Sequence, residues 1–280
     1  MIDSFYLSPF SDPYINLAIE NELLINLKPD SRVLLLYING PSVVMGRFQN
    51  PWLEANLEYL KQEGIHLVRR QSGGGCVYHD EGNLNFSFIE SNRELGKKAN
   101  NEYIIKILQK LDIKAFIGDR NNLWVMSSEG ERKISGSAFK QKRDRSFHHG
   151  TLLVDTDIEK LKRALKPKDY QITSKSIDSV RSKSMNLKSL NANLTMKKLI
   201  DSFCDKFETL TINKTIEVEA ARLRSWEWVM GETPYFECRL SQGVIKSRKG
   251  LLIETDIESL KNQIGMKLED ISGIYFDSVY

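Results

Sequence analysis

Three consecutive glycines at residues 73–75 constrain this chain more than any other feature of its sequence. They follow a strand-like stretch at 67–70 and stand inside the segment RRQSGGGCVYHDEGNLNFSF, residues 69–88. Because glycine lacks a Cβ, such a run can adopt positive φ angles and can turn successive backbone N–H groups towards one point. Arg69 and Arg70 add fixed positive charge beside it. The segment therefore predicts a phosphate or carboxylate site and not only a glycine-rich turn.

The glycine segment differs from the two familiar nucleotide-binding loops. No Gly-Lys-Ser or Gly-Lys-Thr follows the glycines, and no GxGxxG pattern opens a helix. We expect His79 to line the anion pocket, and Asp80 and Gly82 to form the next turn. Cys76 lies between glycine and valine without a sequence cue for activation, so we expect it to pack and not to react.

A second candidate segment, RKISGSA at residues 132–138, carries a lysine followed by small residues. Lys133 can point into a site, and Gly136 and Ala138 would let a substrate come close. One positive charge beside a carboxylate and an α-phosphate would offset the charge that builds up when the carboxylate attacks phosphorus. This chemistry would activate a carboxylic acid as an adenylate.

The residues that follow, FKQKRDRSFHH at 139–149, predict a basic loop. It would be either a solvated face or a lid that keeps water away from a mixed anhydride. His148 and His149 lack a third His or Cys at a spacing that would complete a zinc site, so no protein metal ligand is predicted.

Composition narrows the class of protein. The chain has 280 residues, 41% hydrophobic and 28% charged, which predicts one larger globular domain with a smaller appendage. A net charge of +3 gives no reason to expect nucleic acid as a partner. Three widely spaced cysteines without a CxxC pair exclude a disulfide framework. The chain start lacks signal-peptide character and the apolar runs are too short to span a bilayer, so we expect a soluble cytoplasmic protein without a membrane partner.

The apolar pattern predicts an α+β fold with a mixed or antiparallel sheet, because predicted strands outnumber helices and do not alternate with them regularly. Helices are predicted at residues 13–24, 51–63, 99–111, 158–165, 196–207 and 257–264. Strands are predicted at residues 33–38 and 43–45 as a pair, 67–70, 84–89 as a half-buried strand, 115–117, 123–126, 151–154, 237–246 and 251–255. The polar stretch 166–193 is interpreted as a linker or mobile surface segment.

Several segments in chain order resemble the lipoate–protein ligase A family. Besides 69–88 and 132–138, they are DPYINLA at 12–18, MGRFQNP at 45–51, RNNL at 120–123, HHGTLL at 148–153 and SKSIDSVR at 174–181. The tail segment WEWVMGETPYF at 226–236 resembles the family's small accessory domain.

The resemblance implies the fold shared with biotin ligases, with a catalytic domain at 1–190 and a small α+β accessory domain at 191–280. It implies that lipoate and MgATP give lipoyl-AMP and pyrophosphate, and that the lipoyl group then moves to a lysine of a lipoyl domain or a glycine cleavage H protein. Mg²⁺ would be held mainly by the nucleotide phosphates.

The resemblance also assigns residues. Lys133 would be the catalytic lysine. The residues that would bind ATP and substrate are Arg70, Ser72, Gly73, Gly74, Gly75, Cys76, Val77, Tyr78, His79, Asn83, Asn121, Gly136, Ala138 and His149. Leu17, Tyr37 and Val44 would form the apolar slot for the lipoyl tail. The chain departs from the family at Asn122, where Arg-Asn-Asp-Leu is usual, and this replaces a carboxylate that could act on magnesium or on loop charge.

Three other functions remain open. An octanoyl or lipoyl transferase of the same fold uses a cysteine nucleophile and no ATP, but the expected position near residues 165–168 holds LKPK. A biotin ligase would need a Gly-Arg-Gly-Arg loop, which is absent. A non-catalytic protein that binds lipoyl carriers or adenylates would keep the pocket, and the intact RKISGSA segment argues against it.

Residues 159–188 form a strongly basic stretch. Nine Lys and Arg side chains stand there against Glu159, Asp169 and Asp178. The stretch is either a solvated face or a surface that docks an acidic carrier domain by electrostatic steering. We expect the enzyme to be a monomer.

Overall fold

The computed structural model describes residues 1–91 and 96–271 and confirms the predicted α+β fold. Its strands are β1 (Ser4–Leu7), β2 (Arg32–Tyr37), β3 (Ser42–Met45), β4 (His66–Arg69), β5 (Val77–His79), β6 (Asn83–Ser91), β7 (Ala115–Ile117), β8 (Leu123–Ser127), β9 (Gly130–Ser135), β10 (Ser137–Lys142), β11 (Arg145–Leu153), β12 (Gln171–Ser174), β13 (Phe236–Leu240), β14 (Gly243–Arg248) and β15 (Leu251–Thr255). Its helices are α1 (Pro13–Asn26), α2 (Pro51–Glu54), α3 (Leu57–Glu63), α4 (Lys97–Gln109), α5 (Ile158–Ala164), α6 (Met196–Asp201), α7 (Lys214–Arg224) and α8 (Trp226–Val229).

The chain divides into two compact units, each built from separated segments. Unit 1 contains Met1–Ser42, His79–Leu161 and Arg181–Ala221. Unit 2 contains Val43–Tyr78, Lys162–Val180 and the chain from Arg222 onwards. This division concerns packing, and the predicted division into a catalytic segment 1–190 and an accessory segment 191–280 stays a prediction.

A five-stranded sheet forms the framework of unit 1, in the order β1-β2-β6-β11-β10. β1 runs parallel to β2, and the other neighbours are antiparallel. Because side chains alternate along a strand, one face of β6 carries Leu84, Phe86 and Phe88. These three side chains are fully buried in a core with Ile104 and Leu108 of α4. Each contributes roughly 1.5–3 kcal/mol by leaving water.

Helix α1 covers the other face of the same sheet. Leu24 of α1 packs in a second apolar cluster with Val33 of β2, Ile89 of β6 and Phe147 of β11. The helix begins where predicted, because the Asp12 side chain accepts hydrogen bonds from the first-turn backbone N–H groups. All nine residues of β6 are consequently buried, so the prediction of a half-buried strand at 84–89 was wrong about burial.

The smaller sheets correct the predicted pairing. β3 lies between β4 and β5, and β2 pairs with β1 and β6, so the predicted pair of 33–38 with 43–45 is wrong. β7, β8 and β9 form a three-stranded meander in unit 1, and β12 to β15 form an antiparallel sheet in unit 2.

Two helix predictions also need correction. The predicted helix at 51–63 is broken, because Ala55 is extended and the Asn56 side chain accepts from Tyr59 N to start α3. The apolar pattern at 196–207 forms a shorter helix, α6, and the one at 257–264 forms a 3₁₀ turn, Glu258–Gln263. Helices α7 and α8 were not predicted.

Two segments predicted as irregular are ordered. The basic loop or lid at 139–149 is instead a hairpin of β10 and β11, in which Phe139 pairs with His148. The stretch 166–193 is not only a linker, because it contains β12 and a bridge between Ser184 and Lys133. Within residues 1–91 and 96–271, no helix has the length and apolar character that crossing a membrane requires.

His148 lies on the aromatic core face of β11. Its ring is 4.4 Å from Phe139, 5.7 Å from Phe86 and 6.2 Å from Phe88, measured between centroids. Neither ring nitrogen has a hydrogen-bond partner among the described residues. Burial, followed by nearby positive charge, lowers the pKa of His148 to about 3. The folded state therefore holds this imidazole neutral.

This environment predicts a specific loss of stability in acid. The unfolded state binds a proton at His148 below about pH 6.5 and the folded state does so only near pH 3, so stability falls as pH decreases through that window. Between pH 6 and 4, the free energy of unfolding measured in urea should change less steeply with pH for His148→Phe than for the wild type. The difference in slope should be about 1.4 kcal/mol per pH unit. Replacement of the exposed His66 by Gln is the control. Equal slopes for His148→Phe and wild type would contradict the assignment.

Candidate active site

The face of the five-stranded sheet opposite the aromatic core brings together several predicted site residues. Tyr37 pairs with Asn85, and Ala138 pairs with His149. Alternation puts these side chains and Asn83 on one face. All five are buried. The structure therefore gathers polar groups where a sheet covered by a helix would ordinarily be apolar.

Glu20 of α1 is a buried residue of this face that the sequence reasoning missed. Its carboxylate oxygens lie 2.9 and 3.2 Å from His149 Nδ1. Leu17, assigned to the apolar slot, precedes Glu20 by three residues and so lies on the same face of the helix. The available signal was the position of Glu20, three residues after Leu17 and four before Leu24, which puts it on the inward face of the helix. His148 and His149 project to opposite faces of β11, so they cannot bind one metal together.

Two polar atoms on this face lack partners among the described residues. Asn83 Nδ2 donates to Asn85 Oδ1 at 3.0 Å, and Asn85 Nδ2 donates to Tyr37 O at 3.3 Å. Asn83 Oδ1 and Ser87 Oγ are buried without a hydrogen bond. Buried polar atoms are ordinarily satisfied, so a bound water or a polar group of a ligand would complete these two.

Lys133 is fixed at its backbone from two sides. It pairs with Trp124 of β8, and its N–H donates to Lys183 O at 2.9 Å. Met185 N donates to Lys133 O at 3.0 Å. Burial, and then the positive charge of Arg120, lower the pKa of the Lys133 ammonium. The Lys133 ammonium is therefore largely removed from water, and the positive charge of Arg120 acts on it.

The loop before β8 is fastened to the start of β10. Asn121 O accepts from Ser137 Oγ at 3.0 Å, and Asn122 Oδ1 accepts from Ser137 N at 3.0 Å. Asn122 Nδ2 donates to Asp119 O at 3.1 Å. An aspartate at position 122 would keep the bond from Ser137 N and the backbone bond from residue 122 N to Asp119 O, and would lose only the side-chain bond to Asp119 O. The departure from the family pattern thus has a local structural role in this chain.

Gly136 joins β9 to β10 next to that loop. Its N–H donates to Thr151 Oγ1 at 3.0 Å, and its carbonyl accepts from Thr151 N at 3.0 Å. The structure thereby ties the segment after Lys133 to β11.

The glycine-rich loop of unit 2 is held by Arg70. Its guanidinium donates to Gly73 O at 2.6 Å, Gly75 O at 2.7 Å and Ser72 Oγ at 2.9 Å. Gly74 has a φ of +88°, a conformation that glycine adopts at little cost. With the carbonyls of Gly73 and Gly75 turned towards Arg70, the loop is fixed before any ligand binds.

Arg69 has a different role from its neighbour. It is fully buried, and it donates to Gln49 O at 2.8 Å, Val229 O at 2.9 Å and Thr233 Oγ1 at 3.1 Å. Burial, followed by the positive charge of Arg47, lowers its pKa to about 10, so it stays a cation at neutral pH. Arg69 therefore fixes backbone within unit 2, and its charge is committed to those contacts.

The three cysteines share one property. Burial is the largest cause of a raised thiol pKa at Cys76, Cys204 and Cys238. At Cys76 the charge of Glu54 adds to the effect, and at Cys238 burial raises the pKa to about 11. Cys76 N donates to Ser179 Oγ at 2.7 Å. None of the three thiols is activated as a thiolate at neutral pH.

The predicted site residues divide between the two units. Unit 1 holds Leu17, Tyr37, His79, Asn83, Asn121, Lys133, Gly136, Ala138 and His149, and unit 2 holds Val44, Arg70, Ser72, Gly73, Gly74, Gly75, Cys76, Val77 and Tyr78. Their roles as ligand contacts stay predictions. In the described part of the chain, no group of three or more His, Cys, Asp and Glu is arranged to hold a metal ion.

Comparison with known proteins bears on these features. The family model for the lipoyl protein ligase A/B catalytic domain matches residues 12–208. Lipoate-protein ligase A of Psychrobacter cryohalolentis is 37% identical over 262 residues, which cover 85% of this chain and 76% of that protein.

Three solved structures are similar in sequence and fold. P. falciparum LipL1 in complex with lipoate has a TM-score of 0.69 and 26% identity, and the match covers 94% of this chain and 90% of that one. Lipoate-protein ligase A bound with ATP has a TM-score of 0.69 and 25% identity, with 83% and 100% covered. A bi-partite lipoate protein ligase from Thermoplasma acidophilum, described with its E2 lipoyl domain, has a TM-score of 0.67 and 26% identity, with 83% and 97% covered. The chain therefore belongs to the lipoate–protein ligase A family.

Proposed function

We propose that this protein activates lipoate with ATP and transfers the lipoyl group to a lysine of an E2 lipoyl domain or a glycine cleavage H protein. The observation that carries the proposal is Lys133 in unit 1, whose backbone is hydrogen-bonded to Lys183 O and Met185 N and whose ammonium is largely removed from water. Relatives supply the substrate classes, because one similar structure contains lipoate, one contains ATP and one was described with its E2 lipoyl domain.

The first step is attack of a lipoate carboxylate oxygen on the α-phosphorus of ATP. The new bond joins that oxygen to phosphorus, the bond from the α-phosphorus to the bridging oxygen breaks, and pyrophosphate leaves. Negative charge grows on the α-phosphate during this step. Lys133 would stabilise it by direct electrostatic contact, and Arg120 would add a second positive charge. Mg²⁺ would be carried mainly by the phosphates, where it neutralises charge on the leaving pyrophosphate.

The second step moves the acyl group to the acceptor. The lysine amine attacks the acyl carbon of lipoyl-AMP, the carbon–nitrogen bond forms, the bond from that carbon to the phosphate oxygen breaks, and AMP leaves as the amine loses a proton. Lys133 would again face the phosphate as charge returns to AMP. Its role is therefore electrostatic in both steps, and it forms no covalent bond to the acyl group.

The glycine-rich loop of unit 2 would bind the acyl adenylate through its backbone. Arg70 holds the carbonyls of Gly73 and Gly75, which supports a role for the loop N–H groups as anion ligands. Leu17, Tyr37 and Val44 would line the apolar slot for the lipoyl tail. Asn83 and Ser87 would offer the polar atoms that have no hydrogen-bond partner among residues 1–91 and 96–271.

The state of the cysteines argues against the transferase alternative. A thioester mechanism needs a thiolate nucleophile, and each of the three thiols has a raised pKa. ATP would thus supply the activation that a cysteine supplies in transferases of this fold.

Pyrophosphate exchange with purified protein tests the function. Labelled pyrophosphate should enter ATP only when lipoate is present, and an added lipoyl domain should then gain the mass of one lipoyl group. Acylation from an acyl-carrier donor without ATP would instead establish a transferase.

Lys133→Ala should lower the rate of exchange and of acylation by about 10²–10³-fold, because it removes one preorganised electrostatic contact to the phosphate. The matched control is Lys142→Ala, which removes an exposed lysine from the β10–β11 hairpin and should leave both rates unchanged. Both rates are measured with the same assay. Full activity in Lys133→Ala would exclude the assigned role.

Cys76→Ser should keep most of the activity, because the thiol is not used as a nucleophile. Acylation rate and urea unfolding are measured together, so that a folding defect is recognised. If Cys76→Ser and Cys76→Ala were both folded and both inactive, the thioester mechanism would have to be reconsidered.

The basic stretch 159–188 supports docking of an acidic acceptor, although several of its cations have partners inside the chain. Examples are Lys168 with Glu58, Lys188 with Asp155, and Arg163 over the ring of Tyr59. The exposed Lys166 and Lys175 are better candidates for steering an acceptor.

Reversing the charge of Lys166 and Lys175 together should raise KM for the acceptor several-fold at low salt and leave KM for lipoate unchanged. The same change at Lys106 and Lys110, exposed residues of unit 1, is the control. Steady-state kinetics at two ionic strengths provide the measurement. An unchanged acceptor KM at low salt would rule out docking at these two lysines.

A further inference from the structure

His79 belongs to a row of buried, hydrogen-bonded side chains in unit 1. Ser8 Oγ donates to Asn16 Oδ1 at 2.5 Å, and Asn16 Nδ2 donates to Asn39 Oδ1 at 2.8 Å. Asn39 Nδ2 lies 3.0 Å from His79 Nδ1. All four residues are less than 9% exposed, so water does not compete for these bonds.

A backbone carbonyl fixes the direction of the hydrogen bonds between these side chains. Asn16 Nδ2 also lies 2.8 Å from Phe10 O, and a carbonyl oxygen can only accept. The Asn16 atom that faces Asn39 is therefore the amide nitrogen, so the Asn39 atom facing it is the oxygen. The NH₂ group of Asn39 is left to face His79.

The tautomer of His79 follows from that assignment. Its Nδ1 must accept from Asn39, so Nδ1 carries a lone pair and the neutral ring carries its proton on Nε2. A proton on His79 Nδ1 would place two N–H donors face to face, one from the ring and one from the Asn39 NH₂. Turning the Asn39 amide around would instead oppose the NH₂ groups of Asn39 and Asn16. Both alternatives leave buried donors against each other.

We propose that Asn39, supported by Asn16, is a positioning residue that holds His79 as the Nε2–H tautomer. His79 then binds substrate as a hydrogen-bond donor to an anionic oxygen, either of the lipoate carboxylate or of the adenylate phosphate, and does not act as a base. This rests on the proposed function, which places His79 at the acyl-adenylate site. The ionisable residues that follow His79 in the chain are Asp80 and Glu81, and the Asp80 carboxylate accepts from Gly82 N and Asp157 N.

Asn39→Asp tests the proposal because aspartate has nearly the same shape as asparagine but reverses the direction of the hydrogen bond with His79 Nδ1. The carboxylate still accepts from Asn16 Nδ2, but an oxygen now faces His79 Nδ1 and requires a proton there. The imidazolium form keeps its Nε2–H donor, whereas the neutral form of the variant loses it. Activity of Asn39→Asp should therefore fall as pH rises through the His79 pKa, which the new carboxylate raises, and should recover in acid.

Lipoate-dependent pyrophosphate exchange from pH 5.5 to 9 is the readout. At high pH the variant should be about 10- to 100-fold less active than the wild type, the range expected for loss of a hydrogen bond to a charged group. The control is Asn56→Asp, where aspartate can still cap α3 through Tyr59 N and the pH profile should match the wild type. Separate titrations with lipoate and with AMP identify the oxygen, since only the ligand that contacts His79 should bind more weakly to Asn39→Asp at high pH.

Nitrogen-15 NMR of histidine-labelled wild-type protein gives an answer that needs neither activity nor a variant. His79 should show a protonated Nε2 and an unprotonated Nδ1 across neutral pH. A protonated Nδ1 would overturn the tautomer assignment. Equal loss of activity in Asn39→Asp at every pH would make Asn39 a structural residue only. Absence of lipoate-dependent exchange in the wild type would refute the proposed function and leave the NMR result standing.

Discussion

Burial of β6 on both faces is the constraint on which the rest of this structure depends. One face carries Leu84, Phe86 and Phe88 into an aromatic and aliphatic core, and the other carries Asn83, Asn85 and Ser87 under α1. An apolar second face would be simpler to stabilise. A buried row of polar side chains is costly unless its atoms are paired, and the residues that the structure describes do not pair all of them. The same strand therefore contributes an apolar face to the core and a buried polar face to the candidate site.

Preorganisation is the common principle of the two candidate regions. Arg70 binds the carbonyls of the glycine-rich loop, and two hydrogen bonds from residues 183–185 clamp the backbone of Lys133. Groups held in this way need little rearrangement when charge develops on a phosphate. Cations held in a fixed frame and the absence of an activated thiol are the reasons for proposing that ATP, and not a cysteine, activates the acid.

Much of this could be predicted from local sequence, because local signals set the elements concerned. Asp12 before Pro13 marks the start of α1, and the alternation at 84–89 marks β6. The glycine run and Lys133 stood out because glycine freedom and charge have direct chemical meaning. The family resemblance then joined segments that are distant in the chain.

What failed depended on partners far away in the sequence. The basic residues at 139–149 suggest a loop, but Phe139, Phe147 and His148 pack on neighbouring strands and make a hairpin. Glu20 has no distinctive local pattern beyond its place on the inward face of α1, and its role depends on His149, which is distant in the sequence and lies beside it in the fold. Asn39 gave no signal at all, since its importance lies in the direction of its hydrogen bonds with Asn16 and His79.

Native mass spectrometry of the protein with ATP, Mg²⁺ and lipoate, but without an acceptor, tests the central claim most directly. If the protein is an ATP-dependent ligase, it should retain a noncovalent adduct with the mass of lipoyl-AMP, and pyrophosphate should be released. A covalent acyl adduct on the protein that forms from an acyl-carrier donor without ATP would contradict the account.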